Sequence, residues 1–393
     1  MPSIFFAQEL LTPTEQIRNA AMVVEDGIIR AIGSRDDMDL PQGETIDFGA
    51  AILGPGLIDI HIHGGAGHDL MEASDAGTAA VESFLARHGV TSYCPTTVTA
   101  PLDATLRALE VLAGGIGSGG SNTGADPTRA RPLGIHLEGP FLSHAKRGVH
   151  PPELLEKASI GLFDKFWAAA AGNISVLTIA PEIEGALDLI GSASARGVCV
   201  SLGHSDAKWP QAVAGIEAGA HHATHTFNAM RPLDHREPGL LGAVLTDDRI
   251  TADIIADGIH VHPAVVDLFL RAKGLSRTVL ITDAMSAAGM PNGKYKLGGF
   301  EVEVRDGRCE AEGKLAGSVL TLDVAVRNVG KFAKLAFQQS LQLATLNPAR
   351  TLGIEDRKGC LKPGADADFV VFSAAGEVMQ TIIGGAVTRA KVH

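Results

Sequence analysis

Two histidines separated by one residue close an apolar run early in the chain. The run reads GLIDIHIHGG over residues 56–65, with His61 and His63 near its end. Residues two apart in a β-strand point to the same face, so both imidazoles would project side by side. Buried imidazoles need partners for their ring nitrogens. The pair therefore indicates either a metal site or two hydrogen-bonded core histidines.

Other apolar, β-type runs along the chain also end in histidine, glutamate or aspartate, and segments of helical composition separate them. This alternation is typical of parallel strands that helices cover on both sides, and it predicts an α/β fold with a TIM-type (β/α)8 barrel. The eight predicted strands span 56–63, 90–99, 132–140, 174–182, 198–206, 221–228, 251–260 and 278–285.

The carboxyl ends of barrel strands converge on one face, where barrel enzymes carry their catalytic groups. Imidazole and carboxylate ligands without thiolate suit a divalent metal. The residues favour Zn²⁺ or Fe²⁺, with Mn²⁺ and Co²⁺ as alternatives, and do not choose between zinc and iron. The polar residues expected in this one pocket are His61, His63, Glu138, His204, His225, His260 and Asp283.

The two ends of the chain have a different character. Residues 1–52 carry short apolar pieces, with Asp26-Gly27 placed as the turn of a hairpin, and the tail has similar runs between turn dipeptides. We predict that 1–52 and 355–393 form one small β-sandwich domain and that 53–354 form the barrel. A Gly-rich stretch over 114–131 predicts a mobile loop, and 300–313 predicts a hairpin after the eighth strand.

The composition limits the classes of partner. The 393 residues carry a formal net charge of -12, which argues against nucleic acid or an anionic membrane as the main partner. The chain start lacks the pattern of a secretory leader, and the four cysteines lack a metal-ligand spacing. We therefore expect a cytoplasmic protein with reduced thiols.

Eight short motifs occur in a fixed order: HIHGG, HLEGPF, SLGHSDA, THTFNAM, REPGL, ADGIHVHP, LITDAM and LAGS. Together they resemble the N-acetylglucosamine-6-phosphate deacetylases of the amidohydrolase superfamily, along essentially the whole chain. The resemblance implies that Glu138, His204 and His225 hold the principal metal. It also implies that His61 and His63 can hold a second metal, with Glu138 between the two ions. Many amidohydrolases bridge their metals with a carbamoylated lysine, which the end of the fourth predicted strand lacks here.

The resemblance also implies the catalytic groups. Asp283 accepts a proton as water attacks the acetyl carbonyl and returns it to the departing amine, whereas the alternative is a structural aspartate that caps a helix. His260 polarises the substrate carbonyl, and His262, two residues away, is the residue with which it could be confused.

A sugar 6-phosphate requires fixed positive charge and N–H donors. By resemblance, Arg236 is the phosphate anchor and reaches the site of a neighbouring subunit, which makes the active unit a homodimer. Arg231 and Arg147 are possible substitutes, and a solvated surface arginine is the alternative. The further substrate contacts that the resemblance implies are Val149, His150, Asn228, Ala229, Asp257, Gly258, Ile259, Leu315, Ala316 and Gly317.

The implied reaction is removal of the N-acetyl group of N-acetyl-D-glucosamine 6-phosphate, which gives D-glucosamine 6-phosphate and acetate. Three alternatives stay open. The substrate could be the galactosamine epimer, since a metal site does not read sugar stereochemistry. The chain could instead be a cyclic amidohydrolase of the dihydroorotase kind, or a non-catalytic barrel that binds phosphosugars.

Overall fold

The structure is a computed structural model that describes residues 1–117 and 126–387. In chain order its strands are β1 (Ser3–Leu11), β2 (Gln16–Glu25), β3 (Ile28–Ser34), β4 (Glu44–Asp47), β5 (Ile52–Pro55), β6 (Leu57–Ile62), β7 (Gly64–Gly65), β8 (His68–Asp69), β9 (Val90–Pro95), β10 (Arg131–Pro132), β11 (Ile135–Glu138), β12 (Ile174–Ile179), β13 (Cys199–Leu202), β14 (His222–Ala223), β15 (Ala252–Ile255), β16 (Thr278–Ile281), β17 (Gly293–Leu297), β18 (Phe300–Arg305), β19 (Arg308–Ala311), β20 (Lys314–Leu315), β21 (Phe369–Phe372) and β22 (Val378–Ile382).

Helices follow most of the central strands. They are α1 (Asp75–Arg87), α2 (Leu102–Gly114), α3 (Ile160–Ala169), α4 (Ala186–Ser194), α5 (Trp209–Glu217), α6 (Gly239–Thr246), α7 (Pro263–Lys273), α8 (Leu322–Ala333), α9 (Phe337–Gln342) and α10 (Leu346–Thr351). Helix α8 shows why they pack inward. Its buried positions include Leu322, Ala325, Val326 and Val329, a spacing that places them on one helical face.

Strands from both ends of the chain share one sheet of seven strands, in the order β22-β21-β5-β1-β2-β3, with β4 also paired to β1. The β2–β3 hairpin turns at Asp26 and Gly27, whose φ angles of 54° and 74° are those of a type I′ turn. The strands expected to form a β-sandwich are therefore all hydrogen-bonded into one sheet, which branches at β1. Apolar clusters pack against both of its faces.

The central strands are parallel and follow the chain order. Strand β6 pairs with β9, β11 to β14 pair in sequence, and β15 pairs with β16. A bridge between Thr96 and His136 joins β9 to β11, and one between Ile62 and Ala284 joins the end of β16 to β6. The Thr226 N–H donates to the Asp253 carbonyl at 2.9 Å, beside the β14–β15 gap. These contacts link the first central strand to the last.

The central strands end earlier than the sequence predicts. For example, β13 stops at Leu202 and β14 at Ala223, although the predicted strands continue to residues 206 and 228. The reason is a backbone turn. His204, His225 and Asp283 have φ angles of 47°, 31° and 50°, a left-handed conformation that cannot extend a strand.

The predicted hairpin over 300–313 is present as β18 and β19, which turn at Asp306 and Gly307. Strands β17 and β20 extend it to a sheet of four strands. The predicted mobile loop over 114–131 falls partly on 118–125, which lie outside the described residues, as do residues 388–393 of the predicted small domain. Within the described ranges, no helix is long and apolar enough to cross a membrane.

Candidate metal and substrate site

Five metal-ligand candidates come from the ends of four central strands. His61 lies on β6 and His63 directly follows it, Glu138 is the last residue of β11, and His204 and His225 each lie two residues beyond their strands. All five side chains are buried. The left-handed backbone at His204 and His225 turns each chain out of its strand and directs its imidazole toward Glu138. Strained backbone of this kind is concentrated at functional sites.

The carboxylate of Glu138 lies at the centre of this group. Its Oε1 is 3.3 Å from His204 Nε2 and 3.1 Å from His225 Nε2. The other oxygen, Oε2, is 3.3 Å from His63 Nε2, while His61 Nε2 lies 3.5 Å from Oε1. Two sets of candidate ligand atoms therefore share Glu138, one with His61 and His63 and one with His204 and His225.

The donor chemistry of the site fits a divalent metal. His63 Nδ1 lies 3.3 Å from the Thr96 carbonyl and His204 Nδ1 lies 2.9 Å from the Lys146 carbonyl, so each Nδ1–H can donate and leave a lone pair on Nε2. His61 Nε2 and His63 Nε2 are only 3.2 Å apart. Imidazole lone pairs that face each other and a carboxylate are the arrangement of a metal site without thiolate ligands.

Mutual charge interactions dominate the titration of these groups. Burial alone lowers the pKa of His63, but its hydrogen bonds with Asp283 and Glu138 outweigh burial and raise the pKa to about 10. Burial likewise lowers the pKa of His225, and the Glu138 carboxylate raises it to about 9. Burial would raise the pKa of Glu138, yet the charge on His61 and the hydrogen bonds from His204 and His225 hold it well below its usual range. The carboxylate is therefore ionised at neutral pH.

Asp283 lies beside the ligand group, just after β16. Its Oδ1 is 3.2 Å from His63 Nε2 and 3.6 Å from His61 Nε2. Although burial favours the neutral acid, the positive charge of these histidines lowers the pKa of Asp283 well below its usual range. The Asp283 carboxylate is therefore available to accept a proton.

His260 and Asp257 form a separate pair in the loop after β15. His260 Nδ1 is 2.7 Å from Asp257 Oδ2, and Asp257 Oδ1 accepts the backbone N–H groups of Ile259 and His260, both at 2.8 Å. Burial raises the pKa of Asp257, but the hydrogen bonds and charge of His260 outweigh this effect and lower it. Asp257 therefore fixes the orientation of His260 and leaves His260 Nε2 for another partner.

His150 is held in one tautomer. Its Nδ1 accepts the Thr99 N–H at 3.3 Å and lies 2.7 Å from Thr99 Oγ1, so Nε2 carries the hydrogen. Burial, followed by the charge on His204, lowers the pKa of His150 to about 3. His150 is thus a neutral hydrogen-bond donor whose Nε2 lies 3.8 Å from Glu138 Oε2.

A cavity of about 370 Å³ opens above the ligand group. It brings together thirteen of the sequence-predicted residues: His63, Glu138, Val149, His150, His204, His225, Asn228, Ala229, His260, Asp283, Leu315, Ala316 and Gly317. His61 lies beneath this lining and is fully buried.

Other predicted contacts lie elsewhere. Among the described residues, the lining of this cavity excludes Arg236 and residues 257–259. Arg236 is exposed on the loop after β14, with its backbone N–H bonded to Asp234. The two substitute arginines already have partners, since Arg231 pairs with Asp206 at 2.7 Å and Arg147 donates to the His150 carbonyl at 2.6 Å.

Four lining residues were not identified from the sequence: Val98, Gly148, Leu297 and Lys314. Gly148 and Lys314 each adjoin a motif that was identified, and proximity along the chain could have indicated them. Val98 and Leu297 carry no chemical signal, because an apolar side chain looks the same in a cavity wall and in a core.

Comparison with known proteins agrees with this geometry. Residues 52–388 match the amidohydrolase family. The N-acetylgalactosamine-6-phosphate deacetylase of Escherichia coli O157:H7 is 40% identical over 386 residues, which cover 98% of this chain and 99% of that protein. The N-acetylglucosamine-6-phosphate deacetylase of Bos taurus is 42% identical over 357 residues, 87% of this chain and 84% of that protein.

A solved structure is similar along the whole chain. It is a mutant N-acetyl-D-glucosamine-6-phosphate deacetylase from Mycobacterium smegmatis in complex with N-acetyl-D-glucosamine-6-phosphate, with a TM-score of 0.90, 34% identity and 98% of each chain covered. These similarities confirm the resemblance that the motifs indicated. The chain belongs to the amidohydrolase family.

Proposed function

We propose that this protein is a metal-dependent deacetylase of an N-acetylated amino-sugar 6-phosphate, with N-acetyl-D-glucosamine 6-phosphate as its substrate. The products would be D-glucosamine 6-phosphate and acetate. The observation that carries the proposal is the position of Glu138, within 3.5 Å of the Nε2 atoms of four histidines, one of which, His63, also lies 3.2 Å from Asp283. Relatives with these activities match this chain over most of its length.

We further infer a (β/α)8 barrel over 53–354 and a small β domain from 1–52 and 355–393. The hydrogen bonds that link β16 to β6 support closure of the central strands, and the pairing of β21 with β5 supports a shared terminal domain. In that arrangement the polar strand ends lie on the face where barrels carry their active sites.

Glu138, His204 and His225 would hold the principal metal, and His61 and His63 with Glu138 would hold a second. Zn²⁺ or Fe²⁺ suits these ligands, and Mn²⁺ or Co²⁺ is the alternative. A bound divalent metal lowers the pKa of water and polarises a carbonyl, both of which amide hydrolysis requires.

The protein side chains would move the protons. Asp283, an ionised carboxylate, accepts the proton of the attacking water and later delivers it to the amine as the C–N bond breaks. His260, which Asp257 orients through Nδ1, would polarise the acetyl carbonyl, where negative charge grows. His150 offers a further Nε2–H to the sugar or its acetyl group.

We propose Asn228 and Ala229 as contacts for the sugar phosphate and Arg236 as its charged anchor, supplied by a second subunit of a homodimer. Two observations support this assignment. Asn228 and Ala229 line the cavity, and Arg236, which follows Ala229 by seven residues on the same loop, is exposed. Lys314, which also lines the cavity, is a further cation on the same chain. Because charged sugar phosphates do not cross membranes unaided, we place the reaction in the cytoplasm.

A second candidate substrate is N-acetyl-D-galactosamine 6-phosphate. The Escherichia coli relative with 40% identity bears that name and matches 98% of this chain. The two sugars differ at one hydroxyl, whereas the proposed chemistry takes place at the acetamide group that both share.

The decisive experiment is acetate release by metal-loaded protein from both 6-phosphates and from unphosphorylated N-acetylglucosamine. Rapid release from the gluco 6-phosphate, with slower release from the galacto epimer, would support the proposed substrate. Faster turnover of the galacto sugar would transfer the assignment to it. Metal binding without turnover of either sugar would instead favour the non-catalytic sugar-binding hypothesis.

A further inference from the structure

The four histidines of the candidate metal site are held in two different ways. His63 and His204 each bond a backbone carbonyl through Nδ1, at 3.3 Å and 2.9 Å. By contrast, Nδ1 of His61 and Nδ1 of His225 are buried and have no hydrogen-bond partner among the described residues. Metal-binding histidines are normally oriented by a bond to the second ring nitrogen. His61 and His225 therefore need another restraint.

A buried aspartate supplies that restraint at the backbone of His61. Its N–H donates to Asp59 Oδ1 at 3.3 Å, where the pairing of β6 with β9 is interrupted between Asp59 and Ile62. The fully buried Asp59 also accepts the Thr282 N–H at 3.3 Å and the Thr282 hydroxyl at 2.6 Å. The neighbouring Asp283 N–H returns to the His61 carbonyl at 2.9 Å. Asp59 thus joins a metal ligand to the segment that carries the proposed base.

A second aspartate acts in the same way on His225. The backbone there is left-handed, with φ 31°, and its N–H donates to Asp253 Oδ1 in a short hydrogen bond. Asp253 is buried on β15, and its Oδ2 lies 3.1 Å from His222 Nε2. His222 is held in turn by Thr251 Oγ1, 2.7 Å from its Nδ1. A buried chain of hydrogen bonds therefore fixes the turn that presents His225.

We propose that Asp59 and Asp253 are positioning residues, each of which fixes a metal-ligating histidine through its backbone N–H because the ring nitrogen has no partner. Asp59 serves the group of His61, His63 and Glu138, and Asp253 serves the group of Glu138, His204 and His225. The inference rests on the proposed function, since it requires that these histidines bind metal. A carboxylate suits this task because it accepts several hydrogen bonds at once and donates none.

The test measures metal affinity rather than turnover. Full-chain protein, stripped of metal, is titrated with Co²⁺ against a competing chelator while the visible absorption of bound Co²⁺ is recorded. We expect Asp253→Ala to weaken Co²⁺ binding at the His204–His225 group by about 10–100-fold. We expect Asp59→Ala to weaken Co²⁺ binding at the His61–His63 group by the same factor. Each variant should also change the Co²⁺ absorption bands, which report ligand geometry.

Conservative variants separate positioning from a general structural role. In Asp59→Asn the amide oxygen can accept both N–H groups and the amide nitrogen can donate to Thr282 Oγ1, so we expect near wild-type affinity. In Asp253→Asn the amide nitrogen would oppose the His222 Nε2–H, so affinity should fall unless His222 changes tautomer. If an alanine variant does not fold, Thr282→Val removes a hydrogen bond that holds Asp59, and His222→Gln alters the one that holds Asp253. Each should weaken Co²⁺ binding at the corresponding histidine group about fivefold, the effect of one hydrogen bond.

Asp323→Asn is the matched control. Asp323 is a buried aspartate that pairs with His88 at 3.2 Å and with Arg327 at 3.0 Å, and it contacts none of the candidate ligands. The Asp323→Asn substitution should leave the Co²⁺ affinity and the absorption bands of bound Co²⁺ unchanged. Folded alanine variants with wild-type affinity and spectrum would overturn the inference while leaving the proposed function intact. If the wild-type protein binds one Co²⁺ ion and Asp59→Ala does not change the affinity for that ion, the part of the inference that concerns Asp59 is wrong. A wild-type protein that binds no Co²⁺ would overturn both proposals.

Discussion

His204 Nε2 and His225 Nε2 lie 3.0 Å apart, and both face Glu138 Oε1. The His204 Nδ1–H is directed to the Lys146 carbonyl, which leaves a lone pair on His204 Nε2 when the ring is neutral. Two imidazole lone pairs at this distance repel each other unless a proton or a cation lies between them. The carboxylate adds negative charge at the same point, so the arrangement favours a bound divalent ion.

Replacing Glu138 tests whether one carboxylate serves both ligand groups. We expect Glu138→Gln to weaken metal binding at both groups by more than about 100-fold, because loss of an outer partner alone costs 10–100-fold. Metal content per chain after dialysis measures this effect. Glu82→Gln is the control, since Glu82 is also buried but pairs with Arg129 and Tyr93. A Glu138→Gln protein with full metal content would contradict the shared role.

Metal affinity should rise with pH. The pKa values of His63 and His225 are raised to about 10 and about 9, so both rings are in the charged imidazolium form at neutral pH in the absence of metal. An ion must displace those protons, so affinity falls as pH decreases below these values and increases as pH approaches them. Chelator competition at pH 7, 8 and 9, with proton release measured by calorimetry in buffers of different ionisation enthalpy, checks the direction. Binding that is independent of pH would refute it.

Asp283→Asn should separate catalysis from metal binding. The amide cannot accept the proton of water, so we expect kcat for acetate release to fall by about 10²–10⁴-fold. Metal content should remain near that of the wild type, because Glu138 and the four histidines are unchanged. Single-turnover acetate release with measured metal content distinguishes the two effects. Retention of more than a tenth of wild-type kcat would exclude Asp283 as the base.

Asp257→Asn tests how His260 acts. The substitution keeps the shape of the side chain, but it replaces the acceptor Oδ2, 2.7 Å from His260 Nδ1, with an amide nitrogen. We expect kcat to fall by about 10–10³-fold, because His260 loses the partner that orients its ring. Asp267→Asn, at a partly exposed aspartate that pairs with Arg271, should leave kcat unchanged. An unchanged kcat in Asp257→Asn would show that the pairing with Asp257 does not support the action of His260.

Lys358 should stabilise the terminal sheet. Its Nζ lies 2.8 Å from Asp366 Oδ2 and also pairs closely with Asp368. Burial lowers the pKa of Lys358, but the charges of Asp368 and Asp366 outweigh burial and raise it. We expect Lys358→Met to lower the free energy of unfolding by about 3–5 kcal/mol, because it removes the buried cation that pairs with two buried carboxylates.

The stabilisation by Lys358 should depend on pH, and the direction of that dependence follows from the raised pKa of Lys358. The folded value exceeds the unfolded one, so this stabilisation is complete below the unfolded pKa and decreases as pH rises through the folded value. Urea unfolding of the wild type and the variant at pH 8 and pH 11 should show a smaller difference at the higher pH. Lys294→Met, at an exposed pair with Glu301, should have little effect at either. An equal difference at both pH values would contradict the charge-based explanation.

Local sequence chemistry determined much of this protein. Asp26-Gly27 and Asp306-Gly307 form the expected hairpin turns, because a type I′ turn needs residues that tolerate positive φ. Buried strands such as β6 and β16 read as apolar runs, since helices or other strands cover them. The residue types of the candidate site were equally visible, because imidazoles and carboxylates at the ends of apolar runs have few other uses.

Only the tertiary structure decided how those residues meet. Glu138 and His225 are 87 positions apart, and their 3.1 Å contact depends on the order in which the strands pair. The strand ends were predicted too long because a left-handed turn at His204 or His225 leaves no mark in a pattern of hydrophobicity. Asp59 and Asp253 look like ordinary strand residues in the sequence. Their function as anchors depends on backbone N–H groups that become free only where the strand ladder is broken, and that is a property of the folded chain.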